Sequence, residues 1–171
     1  MTVGTTTLYG SAGPSIDIKA FLAGDLTETS APVLANNLGW LYGTSANSVN
    51  IIYADSITLA DGGNTTLDLF ASGTLLDVFG RALTMSAIKF LYVKNNSTDS
   101  VLRIGGGASN DLDIFLATSD ILLLKAGGIF VWADPSAAGT STAVNKNLKL
   151  LDDGTGAVGD KIIDVIAMGL D

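Results

Sequence analysis

The stretch Ala87-Ile-Lys-Phe-Leu-Tyr-Val-Lys-Asn-Asn-Ser-Thr-Asp-Ser-Val-Leu-Arg-Ile-Gly105 is two hydrophobic runs joined by polar turn residues, and its reading decides the fold class. In the first run Ile88, Phe90 and Tyr92 alternate with Ala87, Lys89, Leu91 and Val93. That period of two belongs to a strand buried on one face and partly covered on the other. Asn95 to Ser100 supply turn chemistry, so the stretch is expected to be a hairpin around which the rest of the chain packs.

Working outward, the same rhythm recurs on both sides. Val49 to Leu59 and Thr65 to Leu69 flank Asp61-Gly-Gly-Asn64 and are expected to pair as a second hairpin. Phe70 to Gly80 reads as a loop with a short hydrophobic plug of Leu75, Leu76, Val78 and Phe79. Beyond the glycines at 105–107, Leu112 to Ala117 is a weak strand and Ile121 to Lys125 a strong one. Ala126-Gly-Gly128 then turns the chain tightly into Ile129 to Ala133. Asp134 to Thr140 is a surface loop, and Asn147 to Asp152 is expected to pair across Asp153 to Gly159 with Lys161 to Met168. About eight short strands with turn signals between them specify an all-β, antiparallel β-sandwich, jelly-roll-like, with little helix. A simpler Greek-key sandwich has the same spacing. An α/β fold would need helical patterns between the strands, and the sequence has none there.

The sandwich domain is expected over residues 49–171, preceded by an N-terminal arm and small accessory segment over 1–48. Met1 to Gly13 is rich in Thr and Gly and reads equally as a frayed terminus or as a clasp on a neighbouring subunit. Ser15 to Leu22 suits a short strand or a helical turn. Ser30 to Tyr42, with Pro32 early and Gly39 as a breaker, is the one plausible helix.

Composition excludes several function classes. The chain has no cysteine and no histidine, which removes disulfides, thiol catalysis, the commonest general base and the commonest metal ligand. A net charge of −8 without any Lys/Arg cluster argues against nucleic acid as a partner. No apolar run approaches the roughly 20 residues that cross a bilayer, so no membrane partner is expected either. The opening residues lack the basic region and apolar core of a secretory signal, which points to assembly in a cytosol. Only 15% of residues are charged against 47% hydrophobic. So lean a polar coat suggests apolar surface shared between subunits, although buried Ala and Gly would give the same figures.

Sites that could carry chemistry have plainer readings. Gly105-Gly106-Gly107 lacks the Gly-Lys-Ser/Thr that completes a phosphate loop and reads as a glycine turn. Asp111 with Asp113, and Asp152-Asp153-Gly154, resemble calcium ligands but lack the spaced acids of a calcium loop, so turn chemistry is favoured. A Ser nucleophile without His would need Lys, and no Ser-x-x-Lys occurs. Paired aspartates are the one remaining route to catalysis, and nothing selects a pair. The expectation is therefore a non-enzyme with no catalytic, cofactor or metal residues. Trp40, Tyr42, Phe130 and Trp132 are read first as core and second as a glycan-stacking platform or interface anchors. Val3, Leu8, Tyr9, Trp40 and Tyr42 are the candidate partner-interface residues.

Asn50 to Leu69, Asp77-Val-Phe-Gly80, Ile88 to Asn95, Leu124 to Phe130 and Lys161 to Ile166 together resemble a type of small structural protein found in tailed-bacteriophage genomes. The resemblance covers about Val49 to Ala167. It implies a virion component, most simply a head decoration or cement protein on the outer capsid surface. Such a protein often acts as a homotrimer, with the major capsid protein and copies of itself as partners. A tail or fibre component, with host-glycan binding, is the alternative it implies, and no catalytic residues come with it. An acidic balance suits the outside of a shell better than its DNA-facing side.

Overall fold

The computed structural model describes residues 9–11, 16–17, 33–34, 39–70, 73–107, 109–114, 120–154 and 159–171. Two compact units make up the chain, residues 1–42 and 43–171. In the first, β1 (Tyr9–Ser11) pairs antiparallel with β4 (Gly39–Tyr42), and β2 (Ile16–Asp17) with β3 (Val33–Leu34). The expected helix over Ser30 to Tyr42 is therefore wrong where it can be seen. Gly10 and Trp40 are register partners, and the aromatic and β-branched residues of this segment suit a pleated ladder better than a helix already interrupted by Pro32 and Gly39.

The second unit holds β5 (Ser48–Val49), β6 (Ile51–Leu59), β7 (Asn64–Asp68), β8 (Ala87–Asn95), β9 (Leu102–Gly105), β10 (Ile121–Leu124), β11 (Ile129–Ala133), β12 (Thr140–Ser141), β13 (Asn147–Asp152) and β14 (Lys161–Leu170). One sheet has the order β11-β8-β14-β6, with β12 also on β8, and the other the order β10-β9-β13-β7. Every ladder in the two sheets is antiparallel. No helix occurs among the described residues.

This order is that of a jelly roll. The ladders β9·β10, β8·β11, β7·β13 and β6·β14 nest as one long folded hairpin rolled into two sheets. A plain succession of hairpins would instead pair each strand with its neighbour in sequence. Three expected hairpins are accordingly corrected. Chain neighbours β6 and β7, β8 and β9, and β13 and β14 lie in opposite sheets, as do β10 and β11. The turn residues are where they were expected, but the turns are arches that carry the chain from one sheet to the other. The weak strand expected from Leu112 is also absent over 112–114, which run from an Asp111–Asn147 bridge into a turn. Residues 115–117 lie outside the described residues.

The inner faces meet in one cluster. Tyr53, Leu91, Val93, Ile163, Val165 and Ala167 come from one sheet, and Leu67, Leu102, Ile104, Leu148 and Leu150 from the other. Truncating a fully buried leucine such as Leu150 costs about 2–5 kcal/mol. Ile88 joins the cluster out of phase with Leu91 and Val93 because β8 carries an extra residue there. Phe90 is opposite Met168 and Ile88 opposite Gly169, which makes Lys89 the extra residue of a bulge.

Candidate functional site

Antiparallel strands place the four arches at one end of the sandwich and the longer loops at the other. At the arch end the buried polar side chains of Asn95, Ser100 and Asp152 are consumed internally. The buried Asn95 amide donates to Ser100 O at 2.9 Å and Leu124 O at 3.0 Å, while its oxygen accepts from the Ser97 N–H at 3.0 Å and hydroxyl at 2.6 Å. Asp152, also buried, accepts from the Gly62 N–H at 2.9 Å and from the Ser100 hydroxyl. Burial works to raise the Asp152 pKa, but these donors, the Gly154 N–H and the Lys161 charge outweigh it and hold the carboxyl below its usual range. Asp153 instead pairs with Arg103. The two adjacent aspartates thus point to different partners, and each is occupied in holding turns.

The glycine loop has the same character. Asp111 is buried, and its carboxylate accepts the Gly107 N–H. A side chain at Gly107 would collide with that carboxylate. Glycine is needed here for the approach of the chain's own aspartate. Among the described residues no group of three or more His, Cys, Asp or Glu comes together as a metal site.

The loop end is built differently. Lys89, fully buried in its bulge, donates from Nζ to Ser45 O and Ser48 O, both at 2.9 Å. Asp134 N–H donates to Lys89 O, and Asn47 N–H to Pro135 O. The 43–50 and 134–140 loops therefore close over this amine. Gly139 (φ 65°) packs so closely that a Cβ would sit 2.7 Å from Lys89 Cγ. Desolvation lowers the Lys89 pKa, and the Asp134 charge offsets part of that. Sequence alternation placed Lys89 on the same side as Leu91 and Val93 but gave no sign that a bulge would bury its charge.

On the edge strand β6, where Val78 N–H donates to Ile52 O, residues 75–83 form a loop locked from within. Asp77 N–H donates to Arg81 O, Gly80 N–H to Asp77 O, and Leu83 N–H to Leu75 O. The Asp77 side chain is 1% exposed. Its carboxylate accepts the Phe79 and Arg81 N–H groups at 2.9 Å each and the Arg81 guanidinium at 2.7 Å and 2.6 Å. Burial favours the neutral acid, yet these donors carry the Asp77 pKa below the ordinary value. The guanidinium also lies 5.5 Å from the Phe79 ring centre. On this frame Leu76, Val78 and Phe79 are 52%, 46% and 56% exposed.

The plug expected at 70–80 is thus turned inside out. Leu75 packs on the core, while Leu76, Val78 and Phe79 face solvent. The signal that could have found it is Asp77-Val-Phe-Gly80-Arg81, an Asx turn with a cation four residues on.

Of the interface residues expected from sequence, Val3 and Leu8 lie outside the described residues, and Tyr9 is in β1 opposite Leu41. Trp40 is buried, whereas Tyr42 is 63% exposed beside an equally exposed Leu41. Phe130 and Trp132 pack against the inner cluster, as the core reading expected. No helix is long and apolar enough to cross a membrane among the described residues. Comparison with protein-family models and with curated protein sequences gives no match for this chain.

Proposed function

We propose that this jelly roll is a structural protein of a tailed-bacteriophage virion, a decoration or cement protein. It binds the major capsid protein on the outer face of the assembled head and bridges neighbouring capsomers, acting as a homotrimer assembled in the host cytoplasm. The observation that carries this reading is the 75–83 loop, three exposed apolar side chains held on a frame fixed by a buried carboxylate. A preorganised apolar tip loses little entropy on docking, and a central aromatic beside an arginine is the usual make-up of an interface hot spot. The tip is also electrically quiet, because Asp77 neutralises Arg81.

The mechanism is mass action and needs no cofactor or bond-making step. A protein that binds only the expanded shell stabilises that state in proportion to its occupancy, and repetition over a symmetric lattice multiplies each modest contact. Of the four aromatics of the glycan-binding alternative, Trp40 is buried and Phe130 and Trp132 lie against the core, which leaves Tyr42 as its one exposed ring.

Co-sedimentation of the purified chain with unexpanded and expanded heads of its phage tests the proposal. Saturable binding to expanded heads alone, lost in Phe79→Asp, is the expected result. A folded chain that binds neither form overturns it.

A further inference from the structure

The outer face of the β11-β8-β14-β6 sheet presents a second apolar surface. Register pairing lines up Val131, Tyr92, Ile166 and Ala54 in one cross-strand row, and Ile129, Lys94, Asp164 and Ser56 in the next. Ile129 and Ile162 are about half exposed, and Val131 and Ile166 each 36%. Strand residues on this face carry only two charges, Lys94 and Asp164, and these are register partners of opposite sign. The other sheet's outer face carries Arg103, Lys149 and Asp68 on its strands, flanked by Asp153 and Lys146.

A chain of net charge −8 repels its own copies, so two copies can meet only where the contact is apolar and its charges complement themselves. The row order meets that condition. Facing sheets prefer nearly aligned strands. A two-fold axis lying between β8 and β14, along the strands, sets Lys94 over Asp164 of the partner subunit and Tyr92 over Ile166 of the partner subunit. The reciprocal contacts follow by symmetry.

We propose that this face is a two-fold interface between copies of the chain, with Tyr92 and Ile166 at its centre and a crossed pair of Lys94–Asp164 contacts beside them. The pairing joins two copies of the free chain in solution, is separate from the homotrimer proposed on the shell, and does not depend on that shell. It also uses a different surface from the 75–83 loop, so either can fail alone.

Light scattering on the full chain tests it. Ile166→Asp is expected to halve the particle mass while leaving the circular dichroism spectrum unchanged, and Leu123→Asp, on the opposite sheet, is expected to leave the mass intact. Lys94→Asp and Asp164→Lys should each weaken association about tenfold, and mixing the two variants should restore it. A wild-type monomer, a mass unaffected by Ile166→Asp, or charge variants that do not rescue each other when mixed would each overturn the proposal.

Discussion

The two ends of the sandwich bury polar side chains to different effect. At the arch end, Asn95 and Asp152 sit where the chain crosses between sheets, and their side-chain hydrogen bonds go to backbone and hydroxyl groups at the turns and strand ends. At the loop end, Lys89 and Asp77 are buried as well, but each organises a segment outside the two sheets of the sandwich, and in the 75–83 loop Leu76, Val78 and Phe79 are left in solvent. A buried polar group that joins two sheets is part of the fold itself. One that braces a loop shapes a surface, and surface is what a binding protein has to offer.

Substitutions at the two ends can break or sharpen this contrast. The largest effect is expected from Asn95→Ala, which takes the amide donor from Ser100 O and Leu124 O and the acceptor from both the Ser97 N–H and hydroxyl. It should cost about 3 kcal/mol, read as a lower urea midpoint with an unchanged slope. A loss below ~1 kcal/mol would mean that the arches hold without their clamp. Lys89→Met removes the buried amine but keeps the packing volume, and a loss of about 1–2 kcal/mol is expected. Amide exchange should quicken around Asn47 and Ser48, which the amine tethers, and not in β13.

Protonation distinguishes the same residues by sign. The Lys89 pKa is lowered in the folded state, so the unfolded chain binds the extra proton. Stability therefore rises as pH climbs from the folded value toward about 10.4. Lys89→Met should flatten that rise in urea titrations. The folded-state pKa of Asp152 is also lowered, but for an acid this means its contribution is complete above about pH 4 and is lost as pH falls through the folded value. Asp152→Asn should flatten the acid limb and leave the alkaline limb alone. Phe79→Asp is expected to have the smallest effect on stability, within about 0.5 kcal/mol by thermal melting, because the ring is exposed. Under the proposed function the same change abolishes head binding, and that separation of binding from folding is the sharpest test of the contrast.

Much of the fold was legible along the chain. The period-two runs read at 49–59, 87–95, 147–152 and 161–168 became strands, the first from Ile51 on and the last extended to Leu170, and Asp61 to Asn64, Asn95 to Ser100 and Ala126 to Gly128 became turns. The proposed site was less legible. Leu76, Val78 and Phe79 look like buried plug residues until the Asp77 carboxylate is seen to occupy the inside of the loop in their place.

The sequence alone determined the all-β class and the strand and turn positions, because these follow from side-chain period and local backbone preference. Only the tertiary structure decided which strands are partners. The Asn95 to Ser100 turn suits a hairpin and an arch equally, since both need the same reversal over the same few residues. The choice falls to contacts far apart in sequence. Leu102 and Ile104 close the inner cluster from the opposite sheet, and the Asn95 amide reaches Leu124 O across the gap. The bulge that buries Lys89 is settled in the same way, by a register slip against β14 some 80 residues further on. Local chemistry sets where a chain bends, and burial summed over distant strands sets what it bends toward.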